Sequence, residues 1–411
     1  MASKSFLYFY TILYIISFLL NISVIFSYLS FTYPNAVTLK NGNIFVIHKY
    51  GVSICDNSYS EIISNIISFS TDQQISNTDY LSKVTLKQFE DGYIFSVIID
   101  KIYIFNPFGE NEYIGPSLIS GQDLYFTIAL DKIVSNRYYY YLVGYIYSES
   151  LYLKYYYYDS QLKDNIQNAY VDGLKDYNYN SNNPEQYKIL NKVLSCESMI
   201  YETQDVFVCL FYVYTINNNF ISNAFLTINN GLINYLRPSS YYGWDEVYCI
   251  KSSISDNRSK AFFCLYKESG VANILLYDIN LSSISYYTLQ DCRTYFYSLK
   301  TYYFPDKEEF GFSCLTKSGG IQIATLNKQF SSYFKILKFN ECNNIYGVSL
   351  IYSINKSKYY IISDAECQGI KTFETLIKEE EKEEEKKEEE KEEEKEEEKK
   401  EEEKEEEKKK K

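Results

Sequence analysis

The sequence predicts an all-β fold in which seven small sheets, each encoded by about 50 residues, are arranged as a ring. The first observation is recurrence: a strongly apolar or aromatic strand returns at Ile44, Tyr93, Tyr138, Val206, Ala261, Phe310 and Tyr359. The second is composition. With 46% hydrophobic and 18% aromatic residues the chain can build a sizeable core, and the repeats favour Tyr, Ile, Val and Phe over Ala and Leu, which disfavours a helical solenoid. The third is punctuation: most strands that follow an anchor stop at Asp or Asn, residues that end strands and open turns.

In chain order the anchors read IFVI, YIFSVII, YYYYLVGY, VFVCLFY, AFFCLYK, FGFSCLT and YYIISD. A candidate strand precedes each: AVTL, VTLKQF, YFTIAL, LSCESMIY, VYCIKSS, TYFYSLKTYYF and IYGVSLIYS. After a polar or Gly-bearing gap comes a third in most units: VSICDN, KIYIFN, YLKYYYYD, AFLTIN, ILLYDIN and IQIATLN. A fourth is legible only in two later units, as ISYYTLQDC and YFKILKFNEC. The long interval between the third and fourth anchors contains DYNYNSNNPEQY (Asp176–Tyr187), a polar insertion between units.

A three- or four-stranded sheet cannot bury both of its faces alone. Stacking such sheets around an axis buries them, and closing the ring protects the edges. The segments Asn41–Asp56 and Glu90–Asn106 each carry a Gly turn, a strand, a short hairpin and a strand ending in an acid or amide. They resemble NHL- or WD-type blades of the β-propeller superfamily. At the level of repeat architecture the resemblance covers residues 33–377 and implies a seven-bladed β-propeller. The subfamily marks are missing: Trp244-Asp245 and Gly319-Gly320 each occur once, and there is no sialidase-type Asp box. No subfamily function is therefore implied. A pair of β-sandwich domains is the competing arrangement.

The chain divides into residues 1–30, a signal peptide or signal anchor; 31–377, the β-propeller ectodomain; and 378–411, a low-complexity tail. Phe6–Leu20 is an apolar run of signal-peptide length, and Phe6–Phe31 read continuously is long enough to span a bilayer. No clean small-x-small cleavage site follows it, so cleavage and retention stay open. Both readings place the body in the secretory pathway or at the cell surface. The tail consists of Glu and Lys alone. It has no apolar seam for a coiled coil, so a solitary charged helix or a disordered, solvating appendage is expected.

Nine cysteines and no C-x-x-C point to disulfides rather than zinc. Residues placed symmetrically about a hairpin turn face each other within disulfide reach. Cys196/Cys209 centres on ETQD, Cys249/Cys264 on SDNRS and Cys342/Cys367 beside NKSK, so these pairs are expected to bond. Cys292/Cys314 has poorer symmetry, and Cys55 is left over for the core of the first unit. Sequons stand at Asn257, Asn280 and Asn355, the first and last at the same inferred turns.

The formal charge of −13 argues against nucleic-acid binding, which needs clustered Lys and Arg. No nucleotide, metal, cofactor or nucleophile motif is present. His48, the only histidine, reads as a strand-end polar residue, and Trp244 with Tyr241 and Tyr242 as inter-blade packing before a sugar platform. The leading expectation is a binding module for a protein or glycan at a propeller face, with membrane attachment through residues 6–31 if that segment is retained. The alternative is an extracellular hydrolase, a glycosidase or lyase, with paired carboxylates at the channel.

Overall fold

A computed structural model describes the strands of residues 35–372 and most of their tight turns. Residues 1–34, 57–61, 70–83, 119–125, 175–186, 290–299, 340–347, 364–370 and 373–411, with shorter connecting stretches, lie outside the description. The tail and the N-terminal apolar run therefore fall outside it, and no helix of the described residues is long and apolar enough to cross a membrane.

Among the described residues the strands form six antiparallel-built sheets. The first contains β1 (Asn35–Thr38), β2 (Ile44–His48), β3 (Gly51–Cys55) and β4 (Ile62–Ser68); the second β5 (Val84–Gln88), β6 (Ile94–Ile98), β7 (Lys101–Phe105) and β8 (Asn111–Ser117). Two meanders follow: β9 (Phe126–Val134), β10 (Tyr138–Tyr147), β11 (Ser150–Asp159) and β12 (Asp164–Leu174), then β13 (Tyr187–Tyr201), β14 (Gln204–Thr215), β15 (Asn219–Asn229) and β16 (Leu232–Arg237). They merge into one nine-stranded sheet through a single parallel pair, Tyr170 with Leu232, and β17 (Tyr241–Gly243) adds to β15. Next come β18 (Val247–Ile254), β19 (Ala261–Lys267), β20 (Ala272–Tyr277) and β21 (Ser283–Leu289). Then follow β22 (Lys300–Phe304), β23 (Glu309–Leu315), β24 (Ile321–Leu326) and β25 (Phe334–Phe339). The last sheet is β26 (Val348–Ser353), β27 (Lys358–Ser363) and β28 (Lys371–Thr372). The edge-to-edge merger was not expected from sequence. It joins the units with the longest strands, whose outer edges extend far enough to meet.

Every anchor seen in the sequence is the second strand of its unit: β2, β6, β10, β14, β19, β23 and β27. The first strands touch in succession, β1 on β5, β5 on β9, β9 on β13, β13 on β18, β18 on β22, β22 on β26, and β26 back on β1. The fold is a β-propeller, and the two-sandwich arrangement does not form.

Packing explains the anchors. Each hydrophobic cluster draws on two consecutive units: Phe45, Ile47 and Val52 with Ile94, Ile98 and Phe105; Phe95, Val97 and Ile104 with Tyr139, Tyr141 and Val143; Leu142, Leu151 and Leu153 with Cys196, Phe207 and Phe211. A second strand is therefore covered from both sides, and β2 and β6 are buried at every residue. At about 25 cal/mol per Å² of apolar surface removed from water, that two-sided burial is the main stabilising contribution. It also explains why the anchors read as continuous apolar runs rather than alternating patterns.

One turn is used three times. Leu39 N–H donates to Asn43 O and Gly42 N–H to Leu39 O; Phe89, Tyr93 and Gly92 repeat the pattern, as do Asn106, Glu110 and Gly109. All three glycines have φ between 85° and 100°, a region that side chains with a Cβ rarely adopt. The Lys40 N–H donates to Pro107 O, so the first hairpin turn of unit one sits beside the last turn of unit two, on the same ring face. Gly51 has a different reason. A Cβ there would lie 1.9 Å from the Ile67 carbonyl oxygen, which is backbone and cannot swing away. Gly51→Ala is expected to cost about 2–3 kcal/mol by forcing β3 and β4 apart, read as a lowered denaturant midpoint.

Candidate functional site at the ring axis

The first strands line the axis, and polar side chains on them reach across it. Lys87, on β5, pairs with Glu197 on β13 and donates to the Ser252 carbonyl on β18 at 3.3 Å, passing over β9. Ser252 Oγ donates to the same Glu197 Oε1 at 2.7 Å, because a carboxylate can only accept. With its proton so committed, Ser252 accepts from Ser195 Oγ at 2.6 Å. Ser195 and Glu197 are two apart on β13 and therefore share one of its faces. A second link spans the axis near its other end, where Lys300, the first residue of β22, donates to Asn35 Oδ1, at the start of β1.

A second polar assembly lies where β9, β13 and the β18–β19 turn meet. Between Ile133 and Leu130 two residues of β9 oppose the single Tyr140 of β10, a β-bulge that inserts Asp131 and Lys132. Arg258 pairs with Asp131 at 2.7 Å and Asp205 at 3.0 Å and donates to Ser198 O at 3.1 Å. Tyr155 OH and Ser198 Oγ also donate to Asp131, and Lys132 pairs with Asp205. Burial pushes the Asp131 carboxyl above the usual range against the pull of Arg258. Burial would also raise Asp205, but the hydrogen bond from Lys132 and the charge of Arg258 hold it below that range.

Tyrosine hydroxyls form a recurring buried contact with carboxylates. Tyr139, Tyr158 and Tyr155 are buried rings whose hydroxyls donate to Asp91, Glu112 and Asp131 at 2.6, 2.9 and 2.5 Å. Burial and those carboxylates hold the three phenols well above the usual tyrosine range.

His48 is a buried strand-end residue. Its Nδ1 accepts from the Tyr50 N–H at 3.3 Å, so Nε2 carries the proton and donates to Ser53 Oγ at 2.8 Å, which in turn donates to Asn65 Oδ1 at 2.7 Å. Burial lowers its pKa to about 4.

The cysteines divide. Cys196 and Cys209 face each other across the β13–β14 hairpin and form a disulfide with Cα atoms 4.1 Å apart. Its turn is Glu202–Thr203, both residues at positive φ, where the midpoint of the pair falls. Cys249 stands opposite Tyr266 and Cys264 opposite Lys251, so this pair does not face across its hairpin as expected. The turn there runs from Ser255 to Lys260, which centres it one residue beyond the cysteine midpoint and shifts the register by two. Cys314, on β23, is disulfide-bonded. Cys55 is buried and its thiol is pushed up to about 12 by burial, then by Asp56. Cys292, Cys342 and Cys367 lie outside the described residues, as do Asn280, Asn355 and Trp244. Asn257 is exposed in the β18–β19 turn, where its Oδ1 accepts from Ser259 N and Oγ at 3.1 and 2.7 Å.

Sequence reasoning missed the axial residues. The only signal was a single charged residue within each predicted first strand, Lys87 in VTLKQF and Glu197 in LSCESMIY. Among the described residues no three His, Cys, Asp or Glu side chains gather as metal ligands.

No protein-family model matches the chain, and no curated protein sequence matches it either. Among solved structures it is similar to the Dos1 propeller, at 11% identity and TM-score 0.45 over 82% of this chain and 76% of that one. The WD40 domain of SCAP from fission yeast shows 10% identity and TM-score 0.43 over 80% and 76%. A variant of the Aleuria aurantia lectin in complex with alpha-methyl-L-fucoside shows 9% identity and TM-score 0.44 over 74% and 92%.

Proposed function

We propose that the chain is a seven-bladed β-propeller, carried outside the cytosol, that binds a protein or glycan partner on one face of its ring. Seven first strands in contact succession, ending on β1, support the blade number. The binding face is the one bearing the turns between first and second strands and between third and fourth strands. One observation carries this choice. Phe108 (53% exposed) and Leu162 (71%) stand on those turns, and the exposed Val134 and Ile200 lie at the strand ends that lead into them, in three consecutive units. Several large apolar side chains left exposed on one face mark it as a candidate interaction surface.

Geometry at the N-terminus favours the same face. Phe31 ends the apolar run four residues before β1 begins at Asn35, on the opposite face. Four extended residues span about 14 Å. A retained anchor would hold that opposite face near the bilayer and turn Phe108 and Leu162 outward. The hydrolase alternative calls for carboxylates facing a cleft. Those on the described first strands, Asp131 and Glu197, each already accept from a cation and from hydroxyls, which lends that reading no support.

The test is binding of the labelled full chain to intact cells and to a glycan array, with Phe108→Ser/Leu162→Ser as the face variant. Loss of binding with an unchanged melting midpoint is expected. Binding that survives this variant but is lost in Tyr50→Ser/Tyr147→Ser, at turns of the other face, would overturn the assignment.

A further inference from the structure

We propose that Asn257, at the tip of the β18–β19 turn, carries an N-linked oligosaccharide acquired in the secretory pathway; this rests on the reading that the body is carried outside the cytosol. Asn257, Arg258 and Ser259 form a sequon, which supplies the acceptor amide and the hydroxyl two residues further on. Transfer joins Asn257 Nδ2 to the anomeric carbon of the first sugar. It breaks the bond from that carbon to the diphosphate of a polyprenol-linked oligosaccharide. The lipid diphosphate is the leaving group, and Nδ2 gives up one proton.

The folded turn accommodates the product. The Ser255 N–H donates to the Lys260 carbonyl at 3.0 Å, so the turn they close is centred between Asn257 and Arg258. Asn257 is exposed, whereas Ser255 is buried and Arg258, Ser259 and Lys260 are half-buried. Asn257 Oδ1 accepts from Ser255 Oγ at 2.9 Å and from the N–H and Oγ of Ser259 at 3.1 and 2.7 Å. Among the described residues no hydrogen bond uses Nδ2. An amide side chain keeps its acceptor and its donors on different atoms. The turn therefore depends on the oxygen, and a sugar on the nitrogen breaks none of its bonds. The middle side chain of the sequon is out of the way as well. Arg258 is held by Asp131, Asp205 and the Ser198 carbonyl, so it is tied to the body while Asn257 meets water. A bulky, hydrated glycan belongs on such a surface turn. The Arg258 carbonyl also accepts from the Ile200 N–H at 3.0 Å. The glycan thus stands beside Ile200, at the edge of the face that carries Phe108 and Leu162, and leaves the turns of units two and three open to a partner.

The experiment is expression of the full chain in cultured eukaryotic cells, read in two ways. Protease protection in isolated membranes, or recovery from the medium, reports whether the body left the cytosol. Peptide mass spectrometry after enzymatic deglycosylation, which turns a glycan-bearing asparagine into aspartate, reports occupancy at position 257. A protected or secreted body with Asn257 occupied is expected. Asn257→Gln and Ser259→Ala should each lose one glycan by gel mobility, while Ser259→Thr keeps the sequon and should run as wild type. A protected or secreted body with unmodified Asn257, or Asn257→Gln running with wild type, overturns this proposal alone. A body that stays in the cytosol overturns the extracellular reading and this proposal with it.

Discussion

Replacing Arg258 by leucine should destabilise the body by about 3–5 kcal/mol, because it strands a buried carboxylate. Asp131 is almost fully enclosed, and Arg258 is the cation that contacts it directly. Tyr155 and Ser198 would still donate to it, yet neither neutralises its charge. The loss has a pH signature. Burial already raises the Asp131 pKa in the folded protein, and removing Arg258 raises it further. A raised acid binds its proton more readily folded than unfolded, so lower pH favours the folded variant at this site. The gap between wild type and variant should therefore be widest near neutrality and narrow as pH falls. Asp131→Asn in the Arg258→Leu background should recover much of the loss, since a neutral amide needs no counter-ion. Denaturant titrations of the single and double variants at two pH values measure all of this. An Arg258→Leu protein as stable as wild type at pH 7 would mean that the network is a solvated rim feature.

The legible part of this fold is its buried part. Second strands such as IFVIH and AFFCLYK are covered on both sides, so the sequence must keep them apolar, and they stand out at once. The outer strands of the first four units, β4, β8, β12 and β16, escaped notice for the opposite reason. β4 (IISNIIS) and β8 (NEYIGPS) are mostly exposed or half-exposed, and backbone pairing to one neighbour places almost no demand on their side chains. The same distinction governs the polar residues. Cys196 and Cys209 were readable because a hairpin converts symmetry in sequence into proximity in space. Cys249 and Cys264 show the limit of that argument, since a turn centred one residue later moves every facing pair. Lys87, Glu197 and Ser252 were beyond it altogether. They lie 110 and 55 residues apart in sequence and meet only because successive first strands gather side by side, a relation that no local pattern encodes.

The second large effect is expected from His48, and its sign follows from the hydrogen bonds around it. Nδ1 accepts and Nε2 donates, so the folded protein holds a neutral ring. Protonating Nδ1 would turn an N–H toward the Tyr50 N–H and bury a charge among Ser53 and the strands of the first unit. The folded pKa of about 4 lies below the unfolded value near 6.5, so the folded state resists protonation. The resulting stability is fully present above pH 6.5 and is lost as pH falls toward 4. The whole difference amounts to about 3 kcal/mol, of which about 2 should disappear between pH 7 and pH 5. Asp131, whose pKa is raised, works in the other direction and cannot produce this loss. Because the chain has one histidine, a single imidazole resonance reports the site, and in the native protein it should titrate with a midpoint near 4. His48→Gln should flatten the stability profile between pH 7 and pH 5 while leaving the ring intact. A native imidazole that titrates near 6.5, or a profile equally steep in His48→Gln, would show that the ring is solvated and that the Ser53–Asn65 relay does not hold it neutral.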